Sequence, residues 1–127
     1  MQLECLQDSG EFVVLIHGRD AATFGALVSS FKSLATEESK EIAIHDVRWV
    51  NAIGGCQVIA TNRPGRPGIW FDSAPGSYRW LQDPEGWLQV AELAEPVGAA
   101  AVTPGVCSQY LEWLGNATLI LSTERSW

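Results

Sequence analysis

The residues of this 127-residue chain with the widest chemical reach are two histidines, three cysteines and a set of arginines spaced among aromatic side chains. His17 closes an apolar run, Phe12–Ile16, and is followed by Gly18, Arg19 and Asp20. His45-Asp46 lies inside a second alternating stretch. If those two stretches are neighbouring strands, both imidazoles share a sheet end, where they could bind a metal together with Asp20 or a cysteine. A cysteine near His45 could instead act as a nucleophile. No ligand or catalytic spacing supports either idea, so hydrogen-bonded histidines at strand ends are expected, with no metal, no cofactor and no catalytic residue. Cys5, Cys56 and Cys107 are sparse and odd in number. That count argues against a disulfide framework and for three small buried apolar side chains. There is no phosphate-binding glycine loop, dinucleotide fingerprint, nucleophile elbow or zinc helix motif. A small enzyme built on His17, His45 or a cysteine is therefore the third choice of function.

The sharpest local feature is Arg63-Pro64-Gly65-Arg66-Pro67-Gly68. Proline lacks a backbone donor and glycine loosens the chain, so this tandem triplet is a loop. It could hold two guanidiniums ready to grip a carboxylate or phosphate. Trp70, Arg79 and Trp80 follow within a few residues, and Arg and Trp are the types enriched in binding hot spots. Arg63, Arg66, Trp70, Arg79 and Trp80 are thus the candidate partner- or ligand-binding residues. The six tryptophans, at 49, 70, 80, 87, 113 and 127, are otherwise expected mostly to fill the space between sheet and helices.

These residues sit on an uneven charge pattern. The net charge is −7, yet residues 47–80 carry four arginines against Asp72, a net +3, between two flanks of −5 each. Clustered cations are what duplex nucleic acid requires, so the acidic balance excludes it. Interleaved arginines and aromatics suit single strands, but the acidic flanks would repel them. The longest strongly apolar run, Phe12–Ile16, is far short of the about 20 residues that span a membrane. With no basic-then-apolar leader at Met1–Cys5, a cytoplasmic location is the expectation. The sequon Asn116-Ala117-Thr118 carries no meaning there.

The elements that must position these residues follow from periodicity and turn chemistry. Gln2–Gln7 and Glu11–His17 read as a hairpin around Asp8-Ser9-Gly10. Asp20 caps a helix whose apolar face is Phe24, Leu27, Val28, Phe31, Leu34 and Ala35. Glu41–Val50, Cys56–Thr61, Ile69–Phe71 and Tyr78–Leu81 read as strands. Asp83-Pro84-Glu85 starts a second helix with Trp87, Val90, Ala91 and Ala94 inward, ended by Pro96 and followed by a small-residue loop, Val97–Pro104. Val106–Leu114 fits a helix stopped by Gly115 or a strand turning at Gly115-Asn116 into Thr118–Ser122; the strand is preferred.

The order ββαββββαββ predicts one α+β domain over residues 1–127, a mainly antiparallel sheet of about six to eight strands with two helices on one face. The function expected is a non-catalytic protein-binding module. Its forms are a bacterial immunity or antitoxin-type inhibitor, or a homo-oligomer. A small-ligand-binding domain with an aromatic, Arg-lined pocket is the alternative.

Overall fold

The computed structural model describes residues 1–125. Its order is β1 (Gln2–Asp8), β2 (Glu11–His17), α1 (Ala21–Ala35), β3 (Glu41–Ala43), β4 (Asn51–Ala52), β5 (Gln57–Asn62), β6 (Gly68–Phe71), β7 (Ser77–Gln82), α2 (Pro84–Ala100), β8 (Ser108–Glu112) and β9 (Ala117–Ser122). The fold is α+β with two helices, as the sequence predicts. The strands form two sheets instead of one: a five-stranded sheet, β4-β1-β2-β9-β8, and a four-stranded sheet, β3-β5-β7-β6. Four strand pairs are antiparallel, and β1–β4, β2–β9 and β5–β7 are parallel.

Capping decides where the helices begin. The Asp20 carboxylate accepts from Ala22 N–H and from the Thr23 hydroxyl, at 3.1 and 2.9 Å. The Thr23 bond, foremost, holds the Asp20 carboxyl below its ordinary value. Asp83 accepts from Gly86 N–H at 2.7 Å, with Pro84 in the first turn, where no donor is needed.

Two expected boundaries move. The stretch Glu41–Val50 is a three-residue strand followed by a 3-10 turn over Ile44–Asp46, because Ile44 turns inward to full burial and breaks the alternation. Pro96 lies inside α2 and does not end it. It faces solvent, where the carbonyl one turn back can be hydrated, while Val97 remains in the core. The helix thus absorbs most of the expected loop. The strand choice for residues 108–112 holds.

The inner faces of both sheets and both helices share one hydrophobic cluster. At its centre Phe31 of α1, Trp80 of β7 and Trp87 of α2 meet with ring centroids 4.8–5.9 Å apart. Trp87 Nε1–H donates to the Thr61 carbonyl, so a large apolar area is buried with its polar atom satisfied. Gly98 permits the helices to approach: a Cβ there would stand 3.1 Å from Phe24 Cβ.

The sheets are also fastened to each other directly. Cys5 of β1 and Cys56, just before β5, form a disulfide with Cα atoms 5.6 Å apart. This corrects the expectation of three unpaired cysteines. A pair 51 residues apart has no spacing signature, and only the fold brings β1 against β5. Cys107 remains free and half-buried.

Candidate surface at the seam of the two sheets

The other fastening joins β6 and β7 to the β8–β9 connection. Ile69 N–H donates to the Leu114 carbonyl, Asn116 N–H to the Ile69 carbonyl, and Phe71 N–H to Asn116 Oδ1. Two glycines make that approach possible. A Cβ on Gly68 would lie 2.7 Å from the Leu114 oxygen, and one on Gly115 would lie 2.2 Å from the Ile69 oxygen. Both glycines have positive φ, which other residues adopt at a cost.

Beneath this backbone bridge lies Glu112, only 2 % exposed. Its carboxylate accepts from Trp80 Nε1–H at 3.0 Å, Gln82 Nε2–H at 2.5 Å, and the backbone N–H groups of Trp113 and Leu114 at 3.3 and 3.4 Å. A buried charge is tolerated when hydrogen bonds replace its water. Gly86 leaves room for this, since a Cβ there would overlap the Gln82 amide.

Above Glu112 opens a groove of about 200 Å³ between α2 and the seam, whose lining includes Pro67, Leu93, Leu111, Trp113 and Leu114. Trp113 stands 63 % exposed on its rim, and Leu114 is also exposed. Next to Pro67, the Arg66 guanidinium stacks 3.3 Å from the centre of the Trp70 ring. The Trp70 indole N–H is shielded and has no partner among the described residues.

The five candidate residues from the sequence therefore divide. Arg66 and Trp70 form one unit at the seam, and Arg63 is exposed on the same loop. Arg79 is exposed but engaged, with Nη1 2.9 Å from Glu41 Oε1 and Nε 3.3 Å from Asp72 Oδ2. Trp80 is fully buried. Strand alternation explains this: β7 sends Tyr78 and Trp80 inward and Arg79 outward, so Trp80 leaves the candidate surface. Trp113 was counted in the sequence as one tryptophan of six. The signal missed was an apolar pair, Trp113-Leu114, directly before the Gly115-Asn116 turn, where polar residues are usual. Trp127 lies outside the described residues.

The histidine ideas do not assemble. β2 and β3 belong to different sheets, and among the described residues no group of three His, Cys, Asp or Glu could hold a metal. His45 Nδ1 accepts from Val58 N–H. His17 Nε2 donates to Glu4 at 2.6 Å, and Arg125 Nε donates to the same oxygen at 3.2 Å. Burial pushes the Glu4 carboxyl up, but the His17 and Arg125 hydrogen bonds and charges outweigh it and hold it below its ordinary value.

A second concavity, about 400 Å³, lies by the β6–β7 turn. Phe12, Phe71, Asp72, Pro75 and Tyr78 are among its walls. Phe12 meets Phe71 edge-on with ring centroids 5.0 Å apart, and Phe71 leans on Tyr78. Tyr78 is 3 % exposed, and burial raises its phenol pKa. No described helix is long and apolar enough to cross a membrane. No family model matches the chain, and neither a curated protein nor a solved structure matches it.

Proposed function

We propose that the chain is a non-catalytic protein-binding module whose contact surface is the seam: Arg66, Pro67, Trp70, Trp113 and Leu114. The observation that carries this reading is Trp113, a largely exposed indole on a connection held by two backbone hydrogen bonds to β6 and by the Glu112 carboxylate. A large side chain offered on a held backbone loses little freedom on binding, and exposed apolar patches beside basic residues mark interaction sites. Arg63 and Arg66 have no ion-pair partner among the described residues, and Glu85 and Glu92 stand exposed on α2. A partner can therefore be oriented by both signs of charge. An immunity or antitoxin-type inhibitor is the concrete form we favour, its acidic flanks steering it toward a basic enzyme. With Cys5 and Cys56 bonded, an oxidising compartment is the location we favour, in place of the cytoplasmic one expected from the sequence.

The test places a photo-crosslinking amino acid at position 113, at 66 and, as a control, at Glu38 in the α1–β3 loop, in the native host. The same foreign protein should be captured from 113 and 66 but not from 38. Capture from all three positions, or from none, overturns the reading.

A specific observation favours a small-ligand domain as a second reading: Tyr78, for whose hydroxyl no hydrogen bond is found among the described residues, lines the aromatic recess. A small aromatic molecule with a hydrogen-bond acceptor fits that chemistry. The recess lies beside Phe71 and Tyr78, whereas the sequence placed such a pocket at Trp70 and Trp80. A thermal-shift screen of such molecules should give hits that are lost in Phe12→Ala. Hits that persist in that variant would remove this reading.

A further inference from the structure

β8 is an edge strand of the five-stranded sheet, and among the described residues no strand pairs with its outer side. Its register shows which backbone groups are left over. Thr123 N–H donates to the Cys107 carbonyl at 2.9 Å and Cys107 N–H donates to Thr123 Oγ1 at 3.0 Å, so these two residues turn their backbone groups toward each other. Bonded and non-bonded pairs alternate along an antiparallel ladder. Ser108, opposite Ser122, and Tyr110, opposite Ile120, therefore turn their N–H and C=O groups away from β9. Among the described residues the Tyr110 carbonyl meets only the side-chain amide of its neighbour Gln109, at 3.3 Å. An edge with unused groups is a template for another strand unless charge, proline or a bulge blunts it. The bulge at Tyr110/Glu112 limits pairing to residues before it. The other devices are missing within the strand's outward part.

The surrounding composition identifies the occupant. In a chain of net charge −7, no charged residue occurs from Pro96 to Leu111. Within that stretch Val102, Val106 and Tyr110 are 75, 52 and 52 % exposed. A partner of opposite charge would gain nothing from a neutral strand. Two acidic copies gain most there, because it is where they can meet without opposing like charges.

We propose that β8 pairs antiparallel with β8 of a second copy of this chain, about a two-fold axis at Gln109. Ser108 of each copy then faces Tyr110 of the other, and the outward N–H and C=O groups of both residues in both copies are used. Gln109 faces Gln109 in the close, non-bonded position, and the two sheets become one continuous sheet. This pairing does not depend on the seam surface.

The register makes the test specific. Sedimentation velocity over a micromolar concentration series should show a dimer for the unmodified chain. Gln109→Lys alone and Gln109→Glu alone should each sediment as monomer, with dimer dissociation raised at least about tenfold by like charges placed face to face. An equimolar mixture of the two variants should recover the dimer. Circular dichroism spectra matching the unmodified chain would show that the variants are folded. A monomer at every concentration, a dimer unchanged in the single variants, or no recovery in the mixture would each overturn the proposal.

Discussion

The two sheets are held together at two places by different chemistry. At the β1–β5 side the fastening is covalent, the Cys5–Cys56 bond. At the β8–β7 side it is a buried carboxylate, Glu112, wrapped by N–H donors under a backbone bridge that two glycines permit. A disulfide acts mainly on the unfolded chain, by removing conformations it would otherwise visit. The carboxylate acts only in the folded state, and every donor it satisfies becomes a liability once it is removed. The covalent side needs no exposed surface. The carboxylate side pins a loop that presents Trp113 and Leu114 to solvent, which is why the candidate surface lies there.

The largest effect should come from the covalent side. For a loop closed across 51 residues, chain entropy predicts that Cys5→Ala/Cys56→Ala loses about 4 kcal/mol of stability. Urea unfolding of the unmodified chain with and without reductant should show a comparable difference. An unchanged midpoint would leave the carboxylate as the principal fastening.

Next comes Glu112→Ala, expected to cost about 3 kcal/mol by stranding the Trp80 and Gln82 donors. Glu112→Gln should cost less, since it keeps an acceptor. The same experiment sharpens the functional contrast: partner crosslinking at position 113 should fall with Glu112→Ala but survive loss of the disulfide. Gly86→Ala should remove about 1 kcal/mol, because the added methyl displaces the flexible end of Gln82 and its bond to Glu112.

Glu4 provides a second carboxylate, held by His17 and Arg125. Its folded pKa lies below the ordinary 4.5, so its contribution is present above that value and is lost as pH falls through the folded pKa. The stability gap between the unmodified chain and Glu4→Gln, measured by urea midpoints, should hold at neutral pH and close below about pH 4.5. The smallest effect belongs to Arg79→Ala. Its two ion pairs are exposed, and less than about 1 kcal/mol should be lost.

Local rules made much of the fold legible. Asp20 and Asp83-Pro84 fixed both helix starts, because capping needs only neighbours in sequence. The β1–β2 hairpin and the β8–β9 turn were readable from alternation and from Gly and Asn. Pro96 was misread because a proline's effect depends on whether its side of the helix meets solvent or core. Of the candidate surface, the Arg66–Trp70 pairing was visible as proximity in sequence. Trp80 was misplaced because alternation assigns neighbours to opposite faces without saying which face is covered. Glu112 gave no signal, since a buried glutamate looks in sequence like any other.

Sequence alone determined the class of the fold, the capped helix starts and a basic, aromatic centre between acidic flanks, because each depends on residues a few positions apart. Tertiary structure alone decided that the strands divide into two sheets, that Cys5 meets Cys56, and that Trp80 is core while Trp113 is surface. Those outcomes depend on which faces are covered and which distant strands are brought together. Such contacts arise from burial of the whole apolar surface at once, and no local spacing encodes them.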